Sequence, residues 1–302
     1  MTMIELTNAI PFPDWLNPII MKIGPIQLGW YGLGYVLGVG LAFYYATRLV
    51  KNSTYWIPNK AAHSPLKRPD SKMLEDFAFY CMVGIMVGGR LGSILLYNTT
   101  YYIENPIEIF KVWKGGMAFH GGFIGVCVAT LFVAKRYKIS LWRWADMAAV
   151  GAPIGILLVR LANFVNQELW GRPTDVAWAF IFETDSLSLP RHPSQLYEAF
   201  LEGLMVFLII RLLVTRFKAL TYPGLCAGAF MLFYGIFRFS VEFVREPDPI
   251  PQISEYFTRG MAYSLPMILI GAFIMMRSYK KGPVAPAPQA STDAQTETQP
   301  AS

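Results

Sequence analysis

Seven stretches of this chain, each roughly 20 residues long, run with few charges between charged clusters, and that pattern fixes the solvent the chain is built for. A helix rises about 1.5 Å per residue, so ~20 apolar residues match the ~30 Å hydrocarbon core of a bilayer. The stretches extend from Gly24 to Thr47, Phe77 to Tyr97, Met117 to Ala134, Met147 to Asn166, Leu196 to Thr215, Tyr222 to Val244 and Met261 to Met276. Length alone would allow two soluble domains. Only 15% of the 302 residues are charged, however, and 54% are hydrophobic, whereas soluble domains carry about 25% charge. The sequence predicts an all-α integral membrane protein of seven transmembrane helices.

Positive charge accumulates in cytoplasmic connections, so the basic residues orient the chain. Of 26 Lys and Arg, 16 fall in one alternate set of connections: Arg48 to Lys72, Lys135 to Arg143, Arg211 to Lys218, and Arg277 with Lys280 and Lys281. Seven fall in the other set, and Arg90, Arg160 and Arg238 lie inside spans. The N-terminus is expected outside and the C-terminus inside. Glu5 and Asp14 precede the first cation, Lys22, so a cleaved leader with a basic start is not expected. The overall charge of +6 would also suit nucleic acid, but its distribution suits a membrane, and no nucleic-acid partner is expected.

Residues 1–276 read as the membrane domain and 277–302 as a disordered cytoplasmic tail. From Gly282 onward, Pro, Ala, Gln, Ser and Thr offer too little apolar surface to fold. The basic loop from Arg48 to Lys72 suits anionic headgroups. The outer connection 167–195 is too aromatic for a plain linker, with Trp170, Trp178, Phe180 and Phe182, and is expected to form a small periplasmic cap. No internal repeat is visible, which weighs against a transporter of duplicated halves.

Charged groups inside a span cost about 2.5–3.5 kcal/mol each, so the three intramembrane arginines must face protein or water. Their depth is informative. Helices two, four and six run outward and carry Arg90, then Arg160, Asn163 and Asn166, then Tyr234, Arg238 and Glu242, each set late in its span and at helical spacing. Arg160 would sit roughly 9 Å below the outer end. Helices one, three and five run inward and carry Tyr31, His120 and the group His192, Gln195, Tyr197 and Glu198 early. Six helices thus direct unusual polar residues toward one leaflet. Simpler roles are open to each: Arg238 with Glu242 as a packing clamp, Tyr31 beside Trp30 as an interfacial anchor, Asn163 and Asn166 as interhelical hydrogen bonds, His120 as a packed neutral imidazole, His192 before Pro193 as a turn residue.

Arginine forks match phosphate oxygens, so the cluster suits a phosphodiester at headgroup depth better than a neutral sterol or a cation. Cys81, Cys127 and Cys226 lie away from it and read as packing residues, not nucleophiles. No arrangement of His, Cys or carboxylates suggests a metal site, and no cofactor is expected.

The run Val159-Arg160-Leu161-Ala162-Asn163-Phe164-Val165-Asn166-Gln167-Glu168-Leu169-Trp170-Gly171 closely resembles the signature of bacterial prolipoprotein diacylglyceryl transferases, with Val159 where that family usually has Gly. Trp30-Tyr31-Gly32, Gly89-Arg90-Leu91-Gly92, Phe119-His120-Gly121-Gly122, His192 through Glu198, and Tyr234 through Arg238 and Glu242 to Asp248 agree in order and position. The resemblance spans roughly Gly29 to Met276. It implies a seven-helix enzyme of the bacterial inner membrane with a periplasmic active site. Such an enzyme moves the diacylglyceryl group of phosphatidylglycerol to the lipobox cysteine of a prolipoprotein signal peptide, forming a thioether and releasing glycerol phosphate. Its partners are therefore that lipid and that peptide. By the same resemblance, Arg160 and Arg238 would hold the phosphate and His120 would take the thiol proton. Tyr31, Arg90, Gly121, Asn163, Asn166, Glu168, Gly171, Tyr234 and Glu242 would line the substrate site. The rival readings are a lipid or solute transporter and an intramembrane serine protease; Ser93 lacks a Gly-x-Ser-x-Gly setting.

Overall fold

A computed structural model describes residues 9–23, 26–60, 62, 67–111, 116–247, 254 and 257–285. Helices dominate it. In chain order they are α1 (Trp30–Lys51), α2 (Ser71–Gly92, prolonged by a π-helical segment Ser93–Tyr97), the short α3 (Thr99–Glu104), α4 (Phe119–Tyr137), α5 (Leu141–Val165), α6 (Ser194–Glu198), α7 (Val206–Phe217), α8 (Leu225–Val241) and α9 (Arg259–Lys281). A π-helical segment, Ala199–Met205, joins α6 to α7 in one rod. Among the described residues, four helical segments are long and apolar enough to cross a bilayer: Trp30–Lys51, Ser71–Tyr97, Leu141–Val165 and Arg259–Lys281. Leu225–Val241 is a shorter apolar helix.

The helix ends follow local chemistry. Asp70 caps α2 by accepting from the Met73 N–H at 2.8 Å, and Thr258 caps α9 from Met261 at 3.2 Å. Asp146, one turn into α5, accepts from the N–H groups of Gly224 and Ala227 at 2.7 and 2.9 Å, and so satisfies the start of α8 from a neighbouring helix.

The chain is mostly helical, as expected of an all-α protein, and short strands accompany the helices among the described residues. Five short strands are present: β1 (Ile10–Pro11), β2 (Ile19–Ile23), β3 (Ile26–Gly29), β4 (Phe180–Ile181) and β5 (Pro190–Arg191). β2 and β3 form an antiparallel hairpin immediately before α1, and β1 pairs in parallel with β4, which pairs antiparallel with β5. The first span therefore begins at Trp30, not Gly24, because an apolar count does not separate a strand from a helical turn. Tyr31 is accordingly the second residue of α1. At the other end α9 continues to Lys281, five residues past the expected boundary, and the N–H of Val284 donates to the Thr221 carbonyl at 2.9 Å. The tail assignment for 286–302 and the leader assignment at Glu5 lie outside the described residues.

One apolar core gathers the helix ends opposite the strands. Leu49, Val50, Trp56, Leu74, Phe77, Val133, Trp144, Met147, Ile210, Val214, Leu220 and Cys226 are buried together there. Phe77 packs on Trp144 with ring centroids 4.9 Å apart, and the Arg143 guanidinium lies 5.1 Å over Trp56 while donating to the Leu220 carbonyl. Beyond this core α2 and α4 pack tightly on each other through small residues. A methyl added at Gly92 would stand 2.8 Å from the Gly121 Cα, so glycine is required there for the backbones to approach.

Candidate active site

The functional centre begins with a close approach of two helices. Gly203, in the π segment between α6 and α7, lies against α5 so closely that an added Cβ would stand 2.7 Å from the Leu157 Cα. That contact sets Glu198 and Glu202 against the C-terminal half of α5. Arg160 Nε meets Glu198 at 3.1 Å and its Nη2 meets Glu202 at 3.4 Å. From α8, Arg238 reaches Glu198 and Glu202 at 3.9 Å and Glu242 at 2.5 Å. Arg245, just beyond α8, meets Glu198 at 3.4 Å. Tyr234, one turn before Arg238, has Glu202, Arg160 and Arg238 as its charged neighbours.

Three guanidinium groups and three carboxylates thus balance, which is what lets this much charge occupy a low-dielectric interior. Their exposure is unequal. The Glu198 and Glu202 side chains are fully buried, whereas those of Arg160 and Arg238 remain 18% and 16% exposed. The carboxylates stand behind the guanidinium groups, so an anion arriving from outside meets the positive members first. Glu242 is fixed from a further helix, accepting from the Thr258 hydroxyl at 2.9 Å.

A second group adjoins the first on α5. Asn163 donates through Nδ2 to the Tyr31 hydroxyl at 2.9 Å and to Glu168 Oε1 at 2.8 Å, tying the start of α1 to the turn after α5. Asn166 caps the C-terminus of α5, its N–H bonding back to Ala162 at 2.9 Å. Gln195 donates to the Glu168 carbonyl at 2.7 Å. Gly171 serves as a crossing point: it bridges Arg245, and an added Cβ would stand 2.5 Å from the Val244 carbonyl and 2.7 Å from the His192 Cβ.

The residues 167–195 form an ordered element over this site. Gln167 and Leu169 adopt positive φ values of 54° and 57°, turning the chain sharply away from α5. Phe12 from the N-terminal segment packs on Phe164 and Phe182 at 5.4 and 5.8 Å. The Arg191 guanidinium lies 3.8 Å over Trp170 and pairs with Asp185 at 2.6 Å and Glu246 at 3.1 Å. Burial opposes ionisation of Asp185, yet the Arg191 pair and the N–H groups of Leu187 and Leu189 outweigh it and hold the carboxyl below its ordinary value. Burial pushes the His192 imidazole down, against a smaller opposite pull from Asp175.

Arg90, His120 and Gly121 stand in a separate group on α2 and α4. Arg90 organises the connection between those helices, donating through Nε to the Ile109 carbonyl at 2.9 Å, through Nη1 to that of Gly116 at 3.2 Å and through Nη2 to that of Glu108, with the Tyr102 ring 5.0 Å away. His120, exposed in the first turn of α4, has Nδ1 2.9 Å from the Tyr97 hydroxyl. Gly121 is a packing glycine against α2. Of the expected residues, Arg160, Arg238, Tyr234 and Glu242 therefore form one ionic centre, Tyr31, Asn163 and Glu168 a network beside it, and Arg90, His120 and Gly121 a third group.

Glu202 and Arg245 are members that the sequence reading did not place in the site, whereas Glu198 stood in the polar group at the start of its span. The signal was present: Glu202 lies four residues after Glu198 inside an apolar stretch, and two carboxylates so placed obey the rule that flags the arginines.

Helices long and apolar enough for a bilayer, together with a buried ionic centre of arginines and glutamates on α5, α8 and the α6–α7 rod, define a polytopic membrane protein with a buried polar site. The sequence model of the prolipoprotein diacylglyceryl transferase family matches residues 18–277, and the chain belongs to that family. It is 45% identical to the phosphatidylglycerol–prolipoprotein diacylglyceryl transferase of Bartonella bacilliformis over 278 residues, covering 90% of this chain and 95% of the relative. It is also 45% identical to that of Bartonella quintana, over 90% and 93% of the two chains, and 44% identical to that of Brucella anthropi, over 90% and 94%. This is a transferase family.

Proposed function

We propose that this chain transfers the diacylglyceryl group of phosphatidylglycerol to the cysteine thiol of a prolipoprotein lipobox, the first step of lipoprotein maturation. The supporting observation is the asymmetry of the ionic centre: guanidinium groups partly exposed, with buried carboxylates behind them. In this reading the protein lies in the bacterial inner membrane with seven spans, the N-terminus outside, and the strands and residues 167–195 forming a periplasmic cap. Residues 1–276 form the catalytic domain and the tail lies in the cytoplasm.

Arg160 and Arg238 take the lipid phosphate by charge-assisted, forked hydrogen bonds. The incoming sulfur attacks the glyceryl carbon that carries the phosphate ester. The carbon–sulfur bond forms as the carbon–oxygen bond breaks, the electron pair leaves with the phosphate oxygen, and glycerol phosphate departs. Negative charge on that oxygen grows during the step, so donors already aimed at it favour the transition state over the bound lipid. Glu198, Glu202 and Glu242 hold the guanidinium groups in place beforehand and so reduce the reorganisation needed. Arg245 and Tyr234 complete the pocket wall.

His120 is the base in this scheme. In this scheme Nδ1–H donates to the Tyr97 hydroxyl, 2.9 Å away, and Nε2 receives the thiol proton. An ordinary thiol titrates near ~8.5 and imidazole near ~6.5, so the transfer is within reach of a modest perturbation. Tyr31, Asn163, Asn166 and Glu168 shape the headgroup side, Gly171 fixes the cap above it, and Arg90 and Gly121 hold the helix pair that carries His120.

The test is to incubate purified protein with phosphatidylglycerol and a lipobox peptide carrying Cys or Ser, and to weigh the products. A diacylglyceryl adduct on the Cys peptide alone is expected. Absence of adduct, with lipid flux across vesicles that hold no peptide, would favour a transporter.

A further inference from the structure

A second lipid-shaped feature lies at the far end of the molecule from the ionic centre. Phe273, Met276, Arg277, Lys280 and Lys281 line a groove of about 370 Å³ along the last turns of α9. Their spacing, i, i+3, i+4, i+7 and i+8, places them on one stripe of the helix. The stripe changes character along its length. Phe273 and Met276 are 61% and 56% exposed and apolar, and the three cations follow within the next turn or so. A phospholipid has the same layout, acyl chains above and a charged head at the surface.

The cationic end is held firmly. The Arg277 guanidinium lies 5.1 Å over the Trp142 ring of α5, an arrangement that fixes a cation at an aromatic face. Ser278 donates to the Pro223 carbonyl at 2.9 Å, and Tyr279 stacks on Tyr222 with centroids 5.9 Å apart. The chain after Lys281 is returned to the protein by the Val284 hydrogen bond to Thr221. These contacts dock the end of α9 on the α7–α8 turn and leave its cationic stripe facing outward. Charges that served only to orient the chain during insertion would need none of this anchoring, since they act by number and not by position.

We infer that this groove is a binding site for one anionic phospholipid of the leaflet at the C-terminal end of α9, distinct from the substrate lipid. The acyl chain lies along Phe273 and Met276, and the phosphate is held by Arg277, Lys280 and Lys281. Cation clusters between helices at a bilayer surface hold anionic head groups in this way.

The experiment uses the full chain in detergent, with native mass spectrometry to count bound lipids. Cardiolipin is the probe, because it is anionic and is not the proposed substrate, and phosphatidylcholine is the neutral control. Wild type should retain one cardiolipin at least tenfold better than phosphatidylcholine. Arg277→Gln/Lys280→Gln/Lys281→Gln protein should lose that one lipid, while Arg160→Ala protein keeps it. Lys280→Arg/Lys281→Arg protein should bind as wild type does. Diacylglyceryl transfer by the triple-Gln variant, assayed in micelles with phosphatidylglycerol supplied, should match wild type and reports that the variant is folded. Equal retention of the two lipids, unchanged retention in the folded triple variant, or displacement of cardiolipin by inorganic phosphate would each overturn the proposal. None of these outcomes bears on the transferase assignment, which is read from the peptide adduct.

Discussion

The two ends of the helix assembly solve the same packing problem with opposite chemistry. At one end Leu49, Trp56, Phe77, Val133, Trp144 and Leu220 form a dry core in which the few polar groups, Arg143 and Asp146, engage backbone carbonyls or N–H groups. At the other, Arg160, Arg238 and Arg245 face Glu198, Glu202 and Glu242, and the helices are joined by ion pairs. An apolar contact is satisfied once and stays satisfied. An arginine held against a carboxylate can exchange part of its pairing for a phosphate, because the incoming group offers the same acceptor geometry. The difference teaches that apolar anchoring and exchangeable ion pairs are kept at opposite ends of the helix assembly.

Substitutions can break that separation. The largest effect is expected for Arg160→Ala, which removes a donor to the leaving phosphate and should lower adduct formation by about 10²–10³-fold per folded molecule. Trp144→Ala at the apolar end should instead cost about 3–5 kcal/mol of stability, seen as a lower melting temperature, with the transfer rate of the remaining folded protein within twofold of wild type. A tenfold loss in that folded fraction would mean that the ends are not separable. Gly203→Val probes the junction between them. Its added Cβ would press on Leu157, so a loss of about 1–3 kcal/mol is expected together with reduced transfer, as Glu198 and Glu202 move off Arg160. The smallest effect concerns the cap. The Asp185 carboxyl is held below its ordinary 3.8 by Arg191, so the stability it lends is fully present above that value and is lost as pH falls through the folded pKa. Proteolysis of 167–195 should therefore rise only below pH ~3.8, and Asp185→Asn should remove that pH dependence.

Much of this was legible beforehand, and the failures have physical causes. The apolar stretches fall largely on α1, α2, α4, α5, the α6–α7 rod, α8 and α9, and four of these helical segments have, among the described residues, the length and composition a bilayer demands. That Arg160, and likewise Tyr234, Arg238 and Glu242, share helix faces was readable from spacing, and the structure gathers those four at one centre. The β2–β3 hairpin was not legible, since Ile19–Ile23 and Ile26–Gly29 are as apolar as a helix end. Nor was the π segment that carries Glu202, because a widened turn leaves no mark in hydrophobic period. Arg90 shows a different limit. Its depth matched the arginine cluster, but its partners are the carbonyls of the α2–α4 connection, and depth carries no information about which side of a helix a residue faces once the neighbours are unknown.

The central claim is that guanidinium geometry, and not positive charge alone, carries the transfer. The most direct measurement is the single-turnover rate of diacylglyceryl adduct formation by Arg238→Lys protein whose melting temperature equals that of wild type. A lysine keeps the charge near Glu198 and Glu202 but cannot present a fork to phosphate. The account predicts a rate at least tenfold below wild type. An equal rate would contradict it.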